Sequence, residues 1–533
     1  MGRNIVIFSD GTGQAGGFRF DENRSNIYKM FRACRCGPDS SVNPRDQLTF
    51  YDPGLGSQAD GGHLTGRAAR WIYNTISQAT GFGITANIVD CYAALIRLWR
   101  PGDRIFLFGF SRGAYRIRCL AGVVSMCGIP QQMKDGSQIK LTDADTRRLA
   151  EYAVKHIYQF TSSRSLDTAT DRQKFLLETR RRLAARFRSE HNCGTDVVPN
   201  ADPYFVGVYD TVAALGSAQK TAMIASAVLI AFAALGGIAN YLSNFSRISV
   251  IGKVLGALTF TNTFFGLIGL TALAAFAVYI YTHLKWDFGV PGYTKGDGRR
   301  TIHLTEMWQT FYDTNLNPRV SYAKYAISID ENRKDFARVG WGRNDDKQFS
   351  KDEHGNRWFE QVWFAGNHSD IGGSYPENES RLSDIALAWM VSSAASVPDG
   401  LKYDVSLLRV YPHPEGAQHD EVKAGLGLFT KLTGRSWPEE KRKLPTPPHE
   451  KISKAVMHRS VYKRFDLKDV QVFDRREPYR PDTLRNHADF AKYYEAGSSF
   501  PADSSHHMQS DAAQSAAERT LSDPQTVLVA EKP

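Results

Sequence analysis

The segment 104–124 constrains the fold of this chain more than any other part of the sequence. A short apolar run, Arg104–Phe108, leads directly into Gly109–Gly113, which reads Gly-Phe-Ser-Arg-Gly, and an apolar-patterned stretch that predicts a helix follows. The G-x-S-x-G pattern between a strand and a helix is typical of a nucleophile elbow, a sharp turn that lifts the serine oxygen out of the sheet. The pattern predicts that Ser111 is a nucleophile. The alternative is a chance match, because only three positions of the pattern are fixed.

Strands and helices alternate along the rest of the chain. Apolar runs that predict strands occur at Ile5–Phe8, Tyr204–Tyr209, Ser321–Ile329 and Gln361–Ala365, and helical patterns separate them. This alternation predicts an α/β fold with a mostly parallel sheet covered on both faces.

Two long stretches without charge interrupt this pattern. Residues Thr221–Ser246 and Val254–Leu284 contain no Asp, Glu, Lys or Arg, and each can supply the roughly 20 apolar residues that cross a bilayer. The simplest interpretation is a transmembrane helical hairpin inserted between two strands of the catalytic domain. The alternatives are a pair of buried helices or an amphipathic cap that lies on lipid.

The hairpin divides the chain into four predicted parts. Residues 1–217 form the first part of the catalytic domain, 218–286 the hairpin, and 287–496 the second part with a C-terminal extension. Residues 497–533 are rich in Ser, Ala, Asp and Gln without a core pattern, which predicts a disordered tail. Because a hairpin returns both of its ends to one side, the enzyme domain stays whole on one face of the membrane. No signal peptide is visible, so we expect a membrane-associated protein whose catalytic domain is cytoplasmic.

Charge and cysteine content exclude several classes of site. The net charge of +10 over 533 residues is moderate, and no nucleic-acid motif accompanies it. The densest basic run, 180–188, is interpreted as the solvated face of a helix, with a lipid-headgroup patch as the alternative. Cys34 and Cys36 do not have zinc-site spacing and no second pair matches them. We therefore expect no metal, no cofactor and no requirement for an oxidising compartment.

A serine nucleophile needs a base and an acid that orients it, and in this fold type they follow the serine in the order acid, then histidine. His368 comes after an apolar strand and is followed by small residues that let a loop turn tightly. Asp210 ends the strand after the elbow helix and is the preferred acid, while Asp330, at the end of a later strand, is the alternative. Asp370 is only two residues from His368, which is too close in sequence for a good bond to its ring.

The predicted oxyanion hole requires two donors. One is the backbone N–H of Arg112, and the other is expected from the loop after the first strand, at Gly11 or Thr12. The same loop matches a dinucleotide-binding pattern, with glycines at 11, 13 and 16. No helix opens directly after it and no acidic residue ends a second strand at the right distance, so nucleotide binding is the weaker interpretation.

Six blocks of sequence together resemble the α/β-hydrolase family that includes the type VI secretion phospholipase effectors. The blocks are Asp10–Thr12, Tyr51–Gly54, Arg104–Tyr115, Gly207–Val212, Ile329–Arg333 and Trp363–Gly373. The resemblance implies an α/β-hydrolase fold, a Ser–Asp–His triad that falls on Ser111, Asp210 and His368, and hydrolysis of lipid esters. The hydrophobic hairpin is not implied by the resemblance, and it favours a membrane-resident enzyme over a freely secreted effector.

The sequence thus predicts a membrane-associated serine esterase that acts on phospholipid acyl esters. Two other interpretations stay open. One is a hydrolase-like domain that serves as a membrane scaffold without catalysis. The other is a secreted antibacterial lipase toxin, for which an immunity or secretion partner is expected.

Overall fold

A six-stranded, wholly parallel sheet organises the chain in the computed structural model. The structure describes residues 2–11, 23–53, 83–163, 168–212, 218–245, 259–305, 316–333, 339–341, 350–422, 453 and 455–494. The strands are β1 Asn4–Ser9, β2 Gln47–Asp52, β3 Arg104–Phe110, β4 Pro203–Tyr209, β5 Leu284–Lys285, β6 His303–Leu304, β7 Tyr322–Ser328, β8 Phe359–Phe364, β9 Val470–Val472 and β10 Arg475–Glu477. The six-stranded sheet has the order β2-β1-β3-β4-β7-β8. Strands β5 and β6, and likewise β9 and β10, form small antiparallel pairs.

Helices connect the strands of the sheet. They are α1 Asn26–Cys34, α2 Ile84–Leu98, α3 Arg112–Cys127, α4 Asp143–Glu151, α5 Asp171–Glu190, α6 Ala218–Phe245, α7 Phe260–His283, α8 Lys295–Arg300, α9 His368–Gly372, α10 Arg381–Ala395 and α11 Arg459–Asp466. A π-helical turn, Tyr152–Ile157, continues α4, and α5 begins fourteen residues later.

Both faces of the sheet are buried, as the α/β prediction requires. Successive strand residues point to opposite faces: Ile5 and Ile7 of β1 pack in the core layer with α2, α3 and α5, whereas Val6 and Phe8 pack in the other layer with α1 and α10. The predicted fold class, an α/β-hydrolase fold, is therefore confirmed.

The loops that follow the strands meet at one edge of the sheet. Ser9 at the end of β1 is level with Gly109 of β3, and Phe110 is level with Tyr209 at the end of β4. Ser328 at the end of β7 is level with Phe364 at the end of β8. The segments after β1, β3, β4, β7 and β8 consequently leave the sheet side by side, which is where ligands bind in open α/β sheets.

The predicted hairpin is present as two helices, α6 and α7, inserted after β4. They approach closely at Gly236, where a Cβ atom would lie 3.1 Å from the Phe260 ring. Among the helices that the structure describes, α7 is the one long and apolar enough to cross a membrane, and in α6 the apolar stretch is shorter, Val228–Tyr241. Residues 246–258, which join the two helices, lie outside the described residues.

The predicted C-terminal extension lies against the outer edge of the sheet. The backbone N–H of Trp363 in β8 donates to Val456 O over 2.9 Å, and His458 N–H donates to Trp363 O over 2.9 Å. A small core that includes Val461, Phe465 and Phe490 packs behind this edge. The predicted disordered tail, 497–533, lies outside the described residues.

The centre of the sheet provides a test of this packing. Phe108 is fully buried, and its ring centroid is 5.4 Å from that of Phe8 and 5.5 Å from that of Phe205. We expect Phe108→Ala to lower the free energy of unfolding by about 3–5 kcal/mol, because the cavity cannot fully collapse between two strands. The measurement is the midpoint of denaturant unfolding. Val197→Ala, at a side chain that is 81% exposed, is the control and should change stability by less than about 0.5 kcal/mol; equal effects would contradict the described core.

Candidate active site

Ser111 occupies a strained turn between β3 and α3. Its φ of 57° and ψ of −123° are unusual for a residue with a side chain. The turn is tight on both sides: a Cβ atom on Gly109 would lie 2.6 Å from Gly113 O, and one on Gly113 would lie 2.1 Å from Ser9 O. These positions therefore require glycine, and the predicted elbow geometry is present at the end of β3.

Asp210 and His368 are in contact beside this turn. Asp210 Oδ2 lies 2.6 Å from His368 Nδ1, and both side chains are buried. The other oxygen, Oδ1, accepts hydrogen bonds from the backbone N–H and the hydroxyl of Ser328, each over 3.0 Å. The carboxylate is thus held by β7 while it faces the imidazole. Such an arrangement sets the tautomer of a histidine and stabilises its protonated form.

The ring of His368 is also packed by the elbow itself. The Phe110 ring stacks on the His368 ring with centroids 4.6 Å apart. Phe110 in turn fills the space beside Gly372, where a Cβ atom would fall 1.9 Å from the phenyl ring. The structure therefore brings together the elbow, Asp210 and His368, and Phe110 and Ser328 are supporting residues that sequence reasoning missed. Their only signals were their positions, one inside the G-x-S-x-G pattern and one at the end of a strand.

The predicted oxyanion-hole residues lie at the same edge. Arg112 is the first residue of α3, where backbone N–H groups have no partner within the helix. Gly11 lies near Ser111, since a Cβ atom on Gly11 would be 3.5 Å from Ser111 Cβ. Its N–H donates to Asp10 Oδ1 over 2.7 Å, so that donor already has a partner. Thr12 lies outside the described residues, as do Gly13 and Gly16 of the dinucleotide-like pattern.

Asp10 is a buried carboxyl group that sequence reasoning did not assign. Besides the Gly11 N–H, it accepts hydrogen bonds from the hydroxyls of Ser25 and Tyr51. Burial raises its pKa from 3.8 to about 6, and these hydrogen bonds partly oppose the shift. Asp10 therefore connects the loop after β1 with α1 and β2 next to the elbow.

Asp330, the alternative acid, makes different contacts from those of Asp210. Its Oδ2 accepts the Gly366 N–H over 2.7 Å and the Tyr479 hydroxyl over 2.8 Å. Residues 365–368, which follow β8, are here called the histidine loop. Asp330 thereby fixes the start of the histidine loop and attaches the C-terminal extension to it. Asp370 contacts a histidine other than His368: its Oδ1 lies 2.8 Å from His419 Nδ1.

Metal and disulfide chemistry have no support in the part of the chain that the structure describes. No group of three or more His, Cys, Asp or Glu side chains there could hold a metal ion. None of the six cysteines, all of them in described segments, forms a disulfide.

A family model covers more than half of the chain. Residues 3–246 and 288–393 match the family model described as the type VI secretion system phospholipase effector Tle1-like catalytic domain. The chain belongs to this Tle1-like family. The resemblance seen in the sequence is therefore confirmed. The match leaves out residues 247–287, which contain α7, so the second helix of the hairpin lies outside the segments shared with the family model.

Individual relatives are more distant. A segment of 131 residues is 34% identical to an uncharacterized protein of Saccharomyces cerevisiae and covers 24% of this chain and 18% of that protein. A crystal structure of an uncharacterized protein from Pseudomonas aeruginosa is 15% identical with a TM-score of 0.30, covering 83% of this chain and 52% of the other. The structure of the Tle1 effector bound to the VgrG spike of the type VI secretion system is 15% identical with a TM-score of 0.26, covering 72% and 52%. This chain spans about half the length of both solved structures.

The buried Asp330 carboxyl group predicts a pH dependence of stability. Burial raises its pKa from 3.8 to about 6, so the folded chain binds this proton more tightly than the unfolded chain does. The resulting stabilisation is complete below pH 3.8 and is lost as the pH rises through about 6. Asp330→Asn keeps an acceptor for the Gly366 N–H but cannot ionise. We therefore expect the wild-type unfolding free energy, minus that of the variant, to fall between pH 4 and pH 7.

The measurement is the denaturation midpoint of both proteins over this pH range. Asp135→Asn is a suitable control, because Asp135 is exposed and its pKa is lowered by hydrogen bonds from Ser137. A wild-type-minus-Asp330→Asn difference that stayed flat or rose with pH would contradict the assignment.

Proposed function

We propose that this Tle1-like chain is a serine esterase that cleaves carboxylic esters, specifically acyl esters of phospholipids, at a membrane surface. The observation that carries the proposal is the 2.6 Å contact between Asp210 and His368 beside the strained Ser111 turn. Membership of a phospholipase effector family supports lipid esters as the substrate class. No cofactor is needed for this chemistry.

In the proposed first step, Ser111 Oγ attacks the ester carbonyl carbon. Since Asp210 engages Nδ1 of His368, Nε2 is the nitrogen that takes the Ser111 proton. The tetrahedral intermediate collapses with cleavage of the bond between the acyl carbon and the alcohol oxygen, and His368 returns the proton to that oxygen. The products of this step are the free lysolipid and an acyl-enzyme.

In the second step, a water molecule attacks the acyl-enzyme and His368 accepts its proton. Collapse of the second intermediate releases the fatty acid and returns the proton to Ser111. Both intermediates carry a negatively charged oxygen, and the Arg112 N–H at the start of α3 is the proposed donor to it. The Gly11 N–H could contribute only if it released Asp10 Oδ1, with which it is bonded.

The hairpin supports a membrane location for this chemistry. Large apolar side chains on α7, including Phe265, Leu270, Leu273 and Phe276, are more than 60% exposed, and such a surface is unusual unless lipid or another apolar partner covers it. Residues 284–304, which follow α7, are here called the foot. The foot exposes Trp286 and Phe288, and aromatic side chains of this kind are enriched at the boundary of a bilayer.

The foot also carries cations and is fastened to the enzyme domain. Lys295, Arg299 and Arg300 are exposed, which suits an anionic headgroup layer. Asp287 pairs with Arg186 of α5 over 2.8 Å. We propose that α7 enters the bilayer while the foot rests on its surface. That the catalytic domain is cytoplasmic stays a prediction.

A second candidate follows from the family itself, whose members are described as secretion effectors. In that case the lipase would be delivered into other cells, and a secretion or immunity partner would exist. Two observations would favour this candidate. One is toxicity to the expressing cells that disappears with Ser111→Ala. The other is suppression of that toxicity by a neighbouring gene.

Ser111→Ala tests the proposed nucleophile. We expect it to abolish labelling of the detergent-solubilised protein by a fluorophosphonate probe and to lower hydrolysis of a short-chain nitrophenyl ester by at least about 10³-fold, because the acyl-enzyme cannot form. The measurements are in-gel fluorescence and initial rates.

Ser125→Ala is the control, since Ser125 is a buried serine further along the same helix α3 and should label as wild type does. Unchanged esterase activity in Ser111→Ala would overturn the mechanism. If the folded wild-type protein neither reacts with the probe nor hydrolyses the ester, the interpretation as a membrane scaffold without catalysis is favoured.

Charges placed on α7 test the membrane proposal. We expect Leu270→Asp combined with Leu273→Asp to reduce co-flotation of the full chain with phosphatidylcholine/phosphatidylglycerol vesicles by at least about 10-fold, because each carboxylate costs several kcal/mol at the bilayer centre. Hydrolysis of a soluble short-chain ester should be unchanged.

Val197→Asp combined with Val198→Asp is the matched control, because these two apolar side chains are also exposed but lie between α5 and β4. It should float as wild type does. Undiminished flotation of the α7 variant would contradict insertion of this helix without affecting the esterase proposal.

A further inference from the structure

The main chain at His368 is held by the loop that follows β7. Two consecutive acidic residues of that loop contact the histidine loop at two points: Asp330 accepts the Gly366 N–H over 2.7 Å, and Glu331 Oε2 accepts the His368 N–H over 3.2 Å. The backbone reinforces this attachment, with Asp330 N–H donating to Gly366 O over 3.0 Å. The position of His368 therefore depends on β7 as well as on β8, the strand that it follows.

Glu331 satisfies a donor that the helix cap does not reach. Asn367 caps α9 through its side chain, which accepts the N–H groups of Ser369 and Asp370 over 2.9 Å each. His368 is the first residue of α9, and its N–H has no acceptor within the helix. Because His368 is buried, this N–H would be costly to leave unbonded. Glu331 supplies its acceptor.

Arg333 holds the Glu331 carboxylate in a fixed orientation. Its Nε donates to Glu331 Oε1 over 2.8 Å and its Nη2 to Oε2 over 2.7 Å, while the Arg333 backbone N–H also donates to Oε1 over 2.8 Å. A forked contact of this kind fixes both the distance and the plane of the carboxylate. The side chain of Glu331 is 1% exposed and that of Arg333 is 18% exposed, so the carboxylate lies inside the protein beside the histidine loop.

We propose that Glu331, oriented by Arg333, is a positioning residue of the hydrolase: it holds the His368 backbone so that the imidazole stays against Asp210. This inference rests on the proposed function, because it assigns Glu331 a role in the chemistry of His368. Glu331 does not act on substrate. Its effect is on the 2.6 Å contact between His368 and Asp210, which a small shift of the loop would lengthen.

The sharpest test compares two ion pairs whose carboxylates are at most 10% exposed. Lys324 and Glu360 form an ion pair between β7 and β8, with side chains 3% and 10% exposed. It joins the same two strands as the Glu331 contact but lies before their carboxyl ends. Glu360→Gln is therefore the matched control, since it removes a buried charge from the same part of the sheet without touching the histidine loop.

The readouts are kcat and KM for a soluble short-chain ester, normalised to active sites counted by fluorophosphonate titration. For Glu331→Ala we expect kcat to fall about 10- to 100-fold with KM within about twofold, the pattern of a misplaced catalytic group. Glu331→Gln keeps an oxygen that can accept the His368 N–H, and we expect it to recover kcat to within about 10-fold of wild type. Glu360→Gln should lower the melting temperature and leave kcat unchanged.

Arg333→Lys provides a second variant if Glu331→Ala does not fold. Lysine keeps the charge but loses the fork, so kcat should fall severalfold while KM and the fold are retained. Wild-type kcat in Glu331→Ala or, where that variant does not fold, in Arg333→Lys would overturn the positioning role, as would an equal loss of kcat in Glu360→Gln. Ser111→Ala separates the two proposals. Esterase activity that survives in Ser111→Ala defeats the proposed function. If Ser111→Ala abolishes the activity but Glu331→Ala leaves kcat unchanged, only the role of Glu331 is defeated.

Discussion

The close approach of β1 and β3 at the start of α3 is the constraint on which the site depends. Gly113 lies so near to Ser9 O that a Cβ atom would be 2.1 Å away. The chain can therefore turn from β3 into α3 without moving away from the sheet, and Ser111 takes the strain of that turn with a φ of 57°. A less direct turn would carry the serine away from the neighbouring strand ends.

The parallel sheet converts this local turn into a shared edge. β4 lies next to β3 and β7 next to β4, so acidic residues that follow these strands converge beside the elbow. Buried carboxylates are tolerated only when donors surround them, and each has its own set: Asp10 binds hydroxyls, Asp210 binds Ser328 and His368, and Asp330 binds Gly366 and Tyr479. The polar groups therefore hold the loops in place as well as forming the candidate site.

Sequence reasoning reached the strand ends but could not assign their contacts. Asp210 and Asp330 both follow strands of one parallel sheet, and both precede His368 in the sequence, so the order acid, then histidine, is compatible with either. The registers decide which of them faces His368, because β4 and β7 end at different depths relative to the loop after β8. Phe110, Ser328 and Glu331 were missed for a related reason: their contacts join segments distant in sequence, and no local pattern records those distances.

The sequence by itself determined the alternation of strands and helices, the glycines of the elbow and the two charge-free runs that become α6 and α7. Each of these depends on short-range effects: side-chain period, room for a tight turn and the absence of charge. Only the tertiary structure decided which carboxylate contacts His368, that the Gly11 N–H is bonded to Asp10, and that the loop after β7 holds the histidine main chain. Those outcomes depend on strand order and register, which arise from packing over the whole sheet.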